Sequence, residues 1–379
     1  MIMRSSNPPA RLGRKMLHIN WGLILIITVT VAFGIAMLYS AANGSWEPWA
    51  VRQLARYGVG ILVLFTVALV DIRFWFRNSY LIYFILLALL VATELAGSVG
   101  MGAQRWIDLG LVRLQPSELM KVGLTLGLAR YYHGISAAEI RRIPYLIIPL
   151  VMVSLPFILV LEQPDLGTAL FLILIGGVIF FVAGVRIWKF ALVIGLAAAA
   201  VPMVWNTLRT YQQKRILTFL DPESDPLGAG YHILQSKIAL GSGGVFGKGF
   251  MQGSQSHLNF LPEKQTDFIF TMLAEEFGML GGFVLLGLYI IIIIYGFAIS
   301  LRSRSHYGRL VAMGVMTMLF LYVFINIAMV TGLIPVVGVP LPLISYGGTA
   351  MLTVLLGVGF VMNIWVHRDV QISRTGTGP

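Results

Sequence analysis

Residues 206–267 read NTLRTYQQKRILTFLDPESDPLGAGYHILQSKIALGSGGVFGKGFMQGSQSHLNFLPEKQTD, and residues 268–297 continue as FIFTMLAEEFGMLGGFVLLGLYIIIIIYGF. The first stretch is polar and glycine-rich. The second is apolar beyond the roughly 20 residues that a helix needs to cross a bilayer. A chain that alternates in this way is organised around a membrane. Asp267, at the seam where the polar loop re-enters the apolar run, is the first candidate for chemistry.

Composition extends that reading to the whole chain. Hydrophobic residues make up 58% and charged residues 11% of the 379 positions, against about 25% charged in an ordinary soluble domain. The remaining charge is crowded between apolar runs. A net charge of +11 therefore speaks to membrane orientation before it speaks to nucleic acid, and no nucleic-acid partner is expected. The absence of cysteine excludes disulfides and thiol chemistry.

Ten segments predict spans: 19–40, 54–72, 79–98, 117–132, 143–162, 168–185, 187–206, 268–299, 308–332 and 345–366. The fourth is the weakest, holding Glu118, Lys121 and Arg130. The first follows a basic start (Arg4, Arg11, Arg14, Lys15) and is too long for a signal-peptide core, so it reads as a retained span. With the N-terminus inside, most basic residues fall on cytoplasmic segments. Short outer loops then hold only Arg52, Arg56, Arg105 and Arg113. The expected fold class is an all-α polytopic membrane protein: one transmembrane domain over 1–379, with both termini cytoplasmic. A large extracytoplasmic loop at 207–267 joins the seventh and eighth helices, and 367–379 form a cytoplasmic tail, disordered from Ser373. Pro149 and Pro156 are expected to kink the fifth span.

Four polar motifs fall on the outer side of this topology. Gly102-Ala103-Gln104-Arg105-Trp106-Ile107-Asp108 precedes Gln115-Pro116-Ser117-Glu118, where Pro116 and Ser117 suit a helix start. Glu118 and Lys121, three apart, share a helix face; they read equally as an ion pair that orders the bundle or as the lining of a cavity. Glu162-Gln163-Pro164-Asp165-Leu166-Gly167-Thr168 is a tight acidic turn, with Asp165 either capping the sixth span or facing a polar cavity. In the long loop, 231–240 predict a short amphipathic helix ending at Gly241. Gly241-Ser242-Gly243-Gly244 and Gly247-Lys248-Gly249 fail the phosphate-loop pattern, because Ser242 and Gly249 stand where it needs glycine and Ser or Thr. Glycine-rich backbone beside Lys237, Lys248 and Lys264 still suits a diphosphate cradle; a merely flexible loop is the alternative. Finally, Leu261-Pro262-Glu263-Lys264-Gln265-Thr266-Asp267 offers either a cap for the eighth span through Thr266 or Asp267, or a partly desolvated carboxylate suited to general-base work. Glu275 and Glu276 follow about two turns on. The histidines are scattered with no H-E-x-x-H pattern, and Pro335 to Pro342 prevents regular helix in the last outer loop, which either packs on the long loop or merely connects.

Taken in order, GAQRWIDLG, QPSELMK, EQPDLGT, LDPESDPLGAGYHILQSKIALGSGG, LPEKQTDFIF, AEEFG and GVPLPLISYGG resemble the SEDS family of bacterial cell-wall proteins over nearly the whole chain, and its elongation-type branch more than its division-type branch. The resemblance implies a peptidoglycan glycosyltransferase that polymerises lipid II on the outer face of the cytoplasmic (inner) membrane during elongation and rod-shape maintenance. The implied partners are a class B penicillin-binding protein transpeptidase, the elongation machinery and membrane lipids. It places the family's essential aspartate on Asp267 and matches Arg105-Trp106 and Glu118/Lys121 to cavity positions. Arg105, Lys121, Lys237, Lys248 and Lys264 are then candidates to face the leaving diphosphate. A divalent cation, Mg²⁺ or Mn²⁺, held by carboxylates is an open alternative for sharing that charge. A flippase for lipid-linked precursors is the competing function.

Overall fold

The computed structural model describes residues 12–100, 103–108, 113–206, 210–224, 228–258, 260–261 and 263–374. Outside them lie Arg4 and Arg11 of the basic start, Gly102 of the first motif, Asp225 and Pro226 of the LDPESDPLGAGYHILQSKIALGSGG stretch, Pro262, and the tail beyond Arg374. The first half of the chain forms α1 (Leu12–Leu17), α2 (Trp21–Ala41), α3 (Ala50–Leu69), α4 (Ile72–Ala96), α5 (Pro116–His133), α6 (Ala137–Ile140), α7 (Pro144–Glu162), α8 (Leu166–Ala183) and α9 (Ile187–Trp205). The long loop contributes α10 (Thr210–Leu220), α11 (Ala229–Ser242) and α12 (Ser254–His257); α13 (Ile269–Arg302), α14 (His306–Val330) and α15 (Gly348–Val366) complete the fold.

Eight of these helices are long and apolar enough to cross a membrane: α2, α3, α4, α7, α8, α13, α14 and α15. Large apolar side chains such as Leu62, Leu81, Ile147, Ile194 and Phe283 are exposed around the bundle, a pattern that a water-soluble surface does not sustain. The fourth and seventh expected spans correspond to α5 and α9, which are not among the eight. α9 is nonetheless apolar along nearly its whole length, Lys189 being its one charged residue. In α5 the reason is charge, and its surroundings explain how charge is tolerated. Almost every residue of α5 is buried, because α4, α7, α8, α14 and α15 pack around it. A helix enclosed by protein on all sides need not be apolar, since its ionisable groups meet partners and not lipid.

The expectation of an all-α chain needs one correction. The interval between α4 and α5 forms a small antiparallel sheet of β1 (Ser98–Gly100), β2 (Ala103–Asp108) and β3 (Arg113–Leu114), in that order. Ser98 pairs with Trp106, and Asp108 with Arg113. Backbone at a bundle end cannot be left unpaired where water is scarce, and a hairpin satisfies it within a short connection.

The long loop is also more ordered than its glycine content suggested. Its helix extends over Ala229–Ser242 and docks on the bundle: Ser236 Oγ meets Thr271 Oγ1 at 2.8 Å and donates to Val330 O at 2.7 Å. The glycine-rich stretch that follows crosses a break in α13 at Gly278, whose φ is 65°. Lys248 N–H donates to Glu275 O and Gly249 N–H to Glu276 O, both at 3.0 Å. In return, Met279 and Leu280 donate to Gly244 O and Val245 O at 3.0 and 3.1 Å. The loop thus supplies the partners that the helix lacks at its break.

Two glycines are dictated by this approach. A Cβ on Gly247 (φ 81°) would lie 2.1 Å from Glu276 O, and one on Gly278 would lie 2.4 Å from Gly247 N. Gly247→Ala is therefore expected to cost roughly 2–5 kcal/mol, the sum of a left-handed backbone and an overpacked contact. Gly244→Ala, with φ 56° but open space around it, is expected to cost only the conformational part, about 1–2 kcal/mol. Thermal unfolding in detergent of the two variants beside the parent measures the difference; equal losses would mean that the backbone contact carries nothing.

Candidate active site

Asp267 lines a cavity of about 500 Å³ at one end of the bundle. Arg105, Trp106, Glu118, Lys121 and Asp165 share it, so six of the candidates from the sequence come together from four segments. The opposite end of the bundle is marked by the C-terminal turn of α5, where His133 meets Tyr307 N and Ser373 O at 3.2 and 3.4 Å.

The floor is an ionic ring. Lys121 Nζ donates to Glu118 Oε1 and to Tyr322 OH, each at 2.6 Å, and the Tyr322 hydroxyl donates in turn to Glu118 Oε2. The ammonium also lies 4.4 Å from the ring centres of Phe171 and Tyr322. The Lys121 and Glu118 side chains are only 1% and 7% exposed. At that burial, attraction and desolvation are both large, and the closed hydrogen-bonding is what makes the pair tolerable.

One wall is the turn between α7 and α8. Asp165 caps α8, accepting from Thr168 N–H at 3.1 Å and from Thr168 Oγ1 at 3.0 Å. It also accepts from Gln115 Nε2 at 3.3 Å, so capping and cavity lining are one role here. Arg105, carried on β2, reaches the same turn: Nε donates to Gln163 O at 3.0 Å, Nη2 to Pro164 O, and Nη1 lies 3.8 Å from Asp165 Oδ2. The guanidinium thus clasps the turn while presenting positive charge to the cavity.

The facing wall is the segment between α14 and α15. Val337 to Pro340 and Tyr346 to Ala350 line it. Gly338, with φ 74°, brings backbone so close that a Cβ there would sit 3.4 Å from Asp267 Oδ2. The proline-rich segment therefore does pack on the seam of the long loop. Phe268, and neither Thr266 nor Asp267, holds the cap position of the following helix.

Three expected substrate contacts are not brought to the cavity. Lys248 Nζ donates to Glu275 Oε1 at 2.7 Å and Ser254 Oγ at 2.8 Å. Glu275, fully buried, also accepts from Gln255 and Ser256 backbone N–H groups at 2.9 and 3.3 Å. Lys264 Nζ donates to Ser256 O at 2.8 Å, and burial pushes its ammonium pKa below the usual lysine range. Lys237 lies along Gly332. The glycine-rich loop and Lys248 brace α13, and the three lysines expected to cradle a diphosphate lie outside the lining of this cavity. Glu276, beside Glu275, accepts from Ser40 Oγ at 2.5 Å and faces His257 Nε2 at 3.2 Å, again away from the cavity lining.

Tyr322 and Glu263 line the cavity without having been singled out in the sequence. Tyr322 left a faint signal: with Asn326 it places two polar groups four residues apart on one face of an otherwise apolar helix. Glu263 sits in a turn with φ 50°, and nothing local distinguishes it.

Comparison with known proteins adds independent weight. A family model described as cell cycle protein (FtsW, RodA, SpoVE) matches residues 14–370. The peptidoglycan glycosyltransferase MrdB of Escherichia coli K12 is 42% identical over 368 residues, covering 97% of this chain and 98% of its own. Peptidoglycan glycosyltransferase RodA of Treponema pallidum is 31% identical, covering 93% and 98%. Among solved structures, the rod shape determining protein RodA of Thermus thermophilus aligns with a TM-score of 0.70 at 30% identity, covering 92% of this chain and 97% of that one. A chain from a peptidoglycan synthase complex, studied for the coordination of polymerization and crosslinking, aligns at 0.79 and 34%, covering 92% and 98%. With a match this long in sequence and fold alike, the chain belongs to the FtsW, RodA and SpoVE family of cell cycle proteins.

Proposed function

We propose that this protein is a peptidoglycan glycosyltransferase that polymerises lipid II, with Asp267 as general base. The observation that carries the reading is the convergence of Asp267, Arg105 and the Glu118–Lys121–Tyr322 ring on one cavity. The relatives named peptidoglycan glycosyltransferase support it across almost their whole length.

The chemistry needs few parts. The acceptor is a sugar hydroxyl, the 4-hydroxyl of GlcNAc, and the donor carbon is an anomeric centre bearing a polyprenyl diphosphate. The hydroxyl oxygen forms the new bond to that carbon as the bond to the diphosphate oxygen breaks, with inversion. The proton passes to the Asp267 carboxylate, and the bonding pair leaves with the diphosphate. The leaving group departs as an anion, so it asks for positive charge and not for a proton. Arg105 and Lys121 are the basic side chains of the cavity; Trp106 and Asp165 complete its lining toward substrate.

These two cations share the cavity with four carboxylates, Glu118, Asp165, Glu263 and Asp267. The oxygens of Glu118 and Asp165 are already engaged, and among the described residues no three carboxylate or histidine groups converge as a metal site. The residues therefore do not fit a resident ion, and a divalent cation, Mg²⁺ or Mn²⁺, enters on the substrate's phosphates if the charge is to balance. Chelation is expected to slow polymerisation severalfold, with restoration by either ion. A rate unchanged by complete chelation removes the cation from the account.

In the membrane we place ten spans, with α5 and α9 added to the eight apolar helices, both termini cytoplasmic and 207–267 outside. The cavity then opens at the outer face of a bacterial inner membrane, opposite the end that carries the C-terminal tail. The partner is a class B penicillin-binding protein transpeptidase within the elongation machinery. That assignment agrees with the structural likeness to a chain of a peptidoglycan synthase complex. The deciding experiment is purified protein with lipid II, wild type beside Asp267→Ala. Equal polymerisation by the two would end the general-base reading, and lipid II translocation without polymer would favour a flippase.

A further inference from the structure

The segment that carries Asp267 has no helix or strand to hold it. Gln265, Thr266 and Asp267 lie in a turn ahead of α13, whose cap residue Phe268 makes no side-chain bond. Yet their three successive carbonyls are all taken, by α14 and the segment that follows it. Tyr346 N–H donates to Gln265 O at 2.8 Å. Ser345 Oγ donates to Thr266 O at 2.6 Å, and Asn326 Nδ2 to Asp267 O at 2.9 Å. The same Asn326 Nδ2 donates to Val339 O at 2.7 Å, while Ser345 Oγ accepts from Leu341 N–H at 2.7 Å. Asn326 and Ser345 are therefore rivets: each joins the Asp267 segment to the proline-rich wall that faces it across the cavity edge.

Both rivets are buried, at 0% and 3% exposure, and neither lines the cavity. Asn326 is also incompletely satisfied, since its Oδ1 is buried without a partner. A buried amide that leaves one end unpaired asks for an explanation. The two carbonyls that its other end ties together supply one.

We infer that Asn326 and Ser345 are positioning residues for Asp267. They fix the backbone from which the carboxylate projects and touch no substrate themselves. This rests on the reading of Asp267 as the base. A carboxylate on an irregular turn would otherwise sample positions an ångström apart, and a misplacement of about that size can cost as much as 10²-fold in rate. The rivets hold a turn to the tolerance usually reached only on a helix or strand.

The test uses the full-length protein in detergent with lipid II, in parallel with wild type and Asp267→Ala. Asn326→Leu removes both donors at similar volume; Ser345→Ala removes the hydroxyl, and Ser345→Thr keeps one. The expected result is a fall in kcat of about 10- to 100-fold for Asn326→Leu and Ser345→Ala, with KM within twofold and recovery of at least half the rate in Ser345→Thr. Size-exclusion profile and melting temperature are read on every variant, so loss of folded protein is separated from loss of rate. A kcat unchanged in both removal variants, a rise in KM alone, or a loss that tracks the folded fraction would overturn the inference. Should Asp267→Ala itself retain wild-type rate, the general-base reading fails first. A low rate in Asp267→Ala together with full rates in both removal variants would overturn the positioning role alone.

Discussion

Replacing Asp267 with asparagine is expected to lower kcat for glycan polymerisation by about 10²–10⁴-fold, the range that a positioned general base contributes. Asparagine keeps the size and planarity of the side chain but cannot take a proton. The backbone at this position is held through its carbonyl by Asn326, a bond that the substitution leaves intact. KM should therefore move little, and the melting temperature should stay near that of the parent. Steady-state polymerisation of lipid II by purified protein, with turnover and saturation measured separately, checks the claim. An asparagine variant with wild-type turnover would move the proton to another group, and Glu263 is the remaining cavity carboxylate in the same turn.

The second large effect is on stability. Lys121→Met is expected to destabilise the fold by about 3–5 kcal/mol, because it leaves the buried Glu118 carboxylate without its charge partner. The Tyr322 hydroxyl still donates to Glu118, but one neutral donor does not replace an ammonium in such a place. Adding Glu118→Gln in the same chain removes the stranded charge, so the double variant should recover most of the loss. Its activity should not recover, since the cavity then lacks the lysine. Melting temperatures of the single and double variants beside their polymerisation rates separate these outcomes. A Lys121→Met protein as stable as the parent would show that the ring is not an ion pair in the folded state.

Much of this arrangement was legible in the chain because the membrane makes polar residues conspicuous. Arg105, Glu118, Lys121, Asp165 and Asp267 stand out against apolar surroundings, and the cavity collects all five. What was not legible depends on contacts between segments far apart. Lys248 sits among glycines as a phosphate-binding lysine would, yet it pairs with Glu275, 27 residues on. Gly247 looks like a flexible position until the carbonyl of Glu276 is seen 2.1 Å from where its side chain would begin. Glu118 and Lys121 announce a pair by their spacing, but the tyrosine that closes the ring lies 201 residues from the lysine. Spacing reports neighbours on one helix and is silent about those on another. The small sheet of β1, β2 and β3 was missed for a related reason: its register is set by pairing between strands, not by an apolar period.

The break at Gly278 gives α13 two parts with different duties. The arm Ile269–Phe277 carries Asp267 just beyond its tip, and Gly278 is where the helical backbone is interrupted. An arm of this length is about 14 Å long, so a tilt of roughly 10° would carry the carboxylate about 2–3 Å, close to the length of a hydrogen bond. The loop segment at 244–249 is bonded on both sides of that interruption, and α11 is bolted to the arm through Ser236 and Thr271. The same bonds splint the interruption, so the arm beside the base is held in line with the rest of the helix.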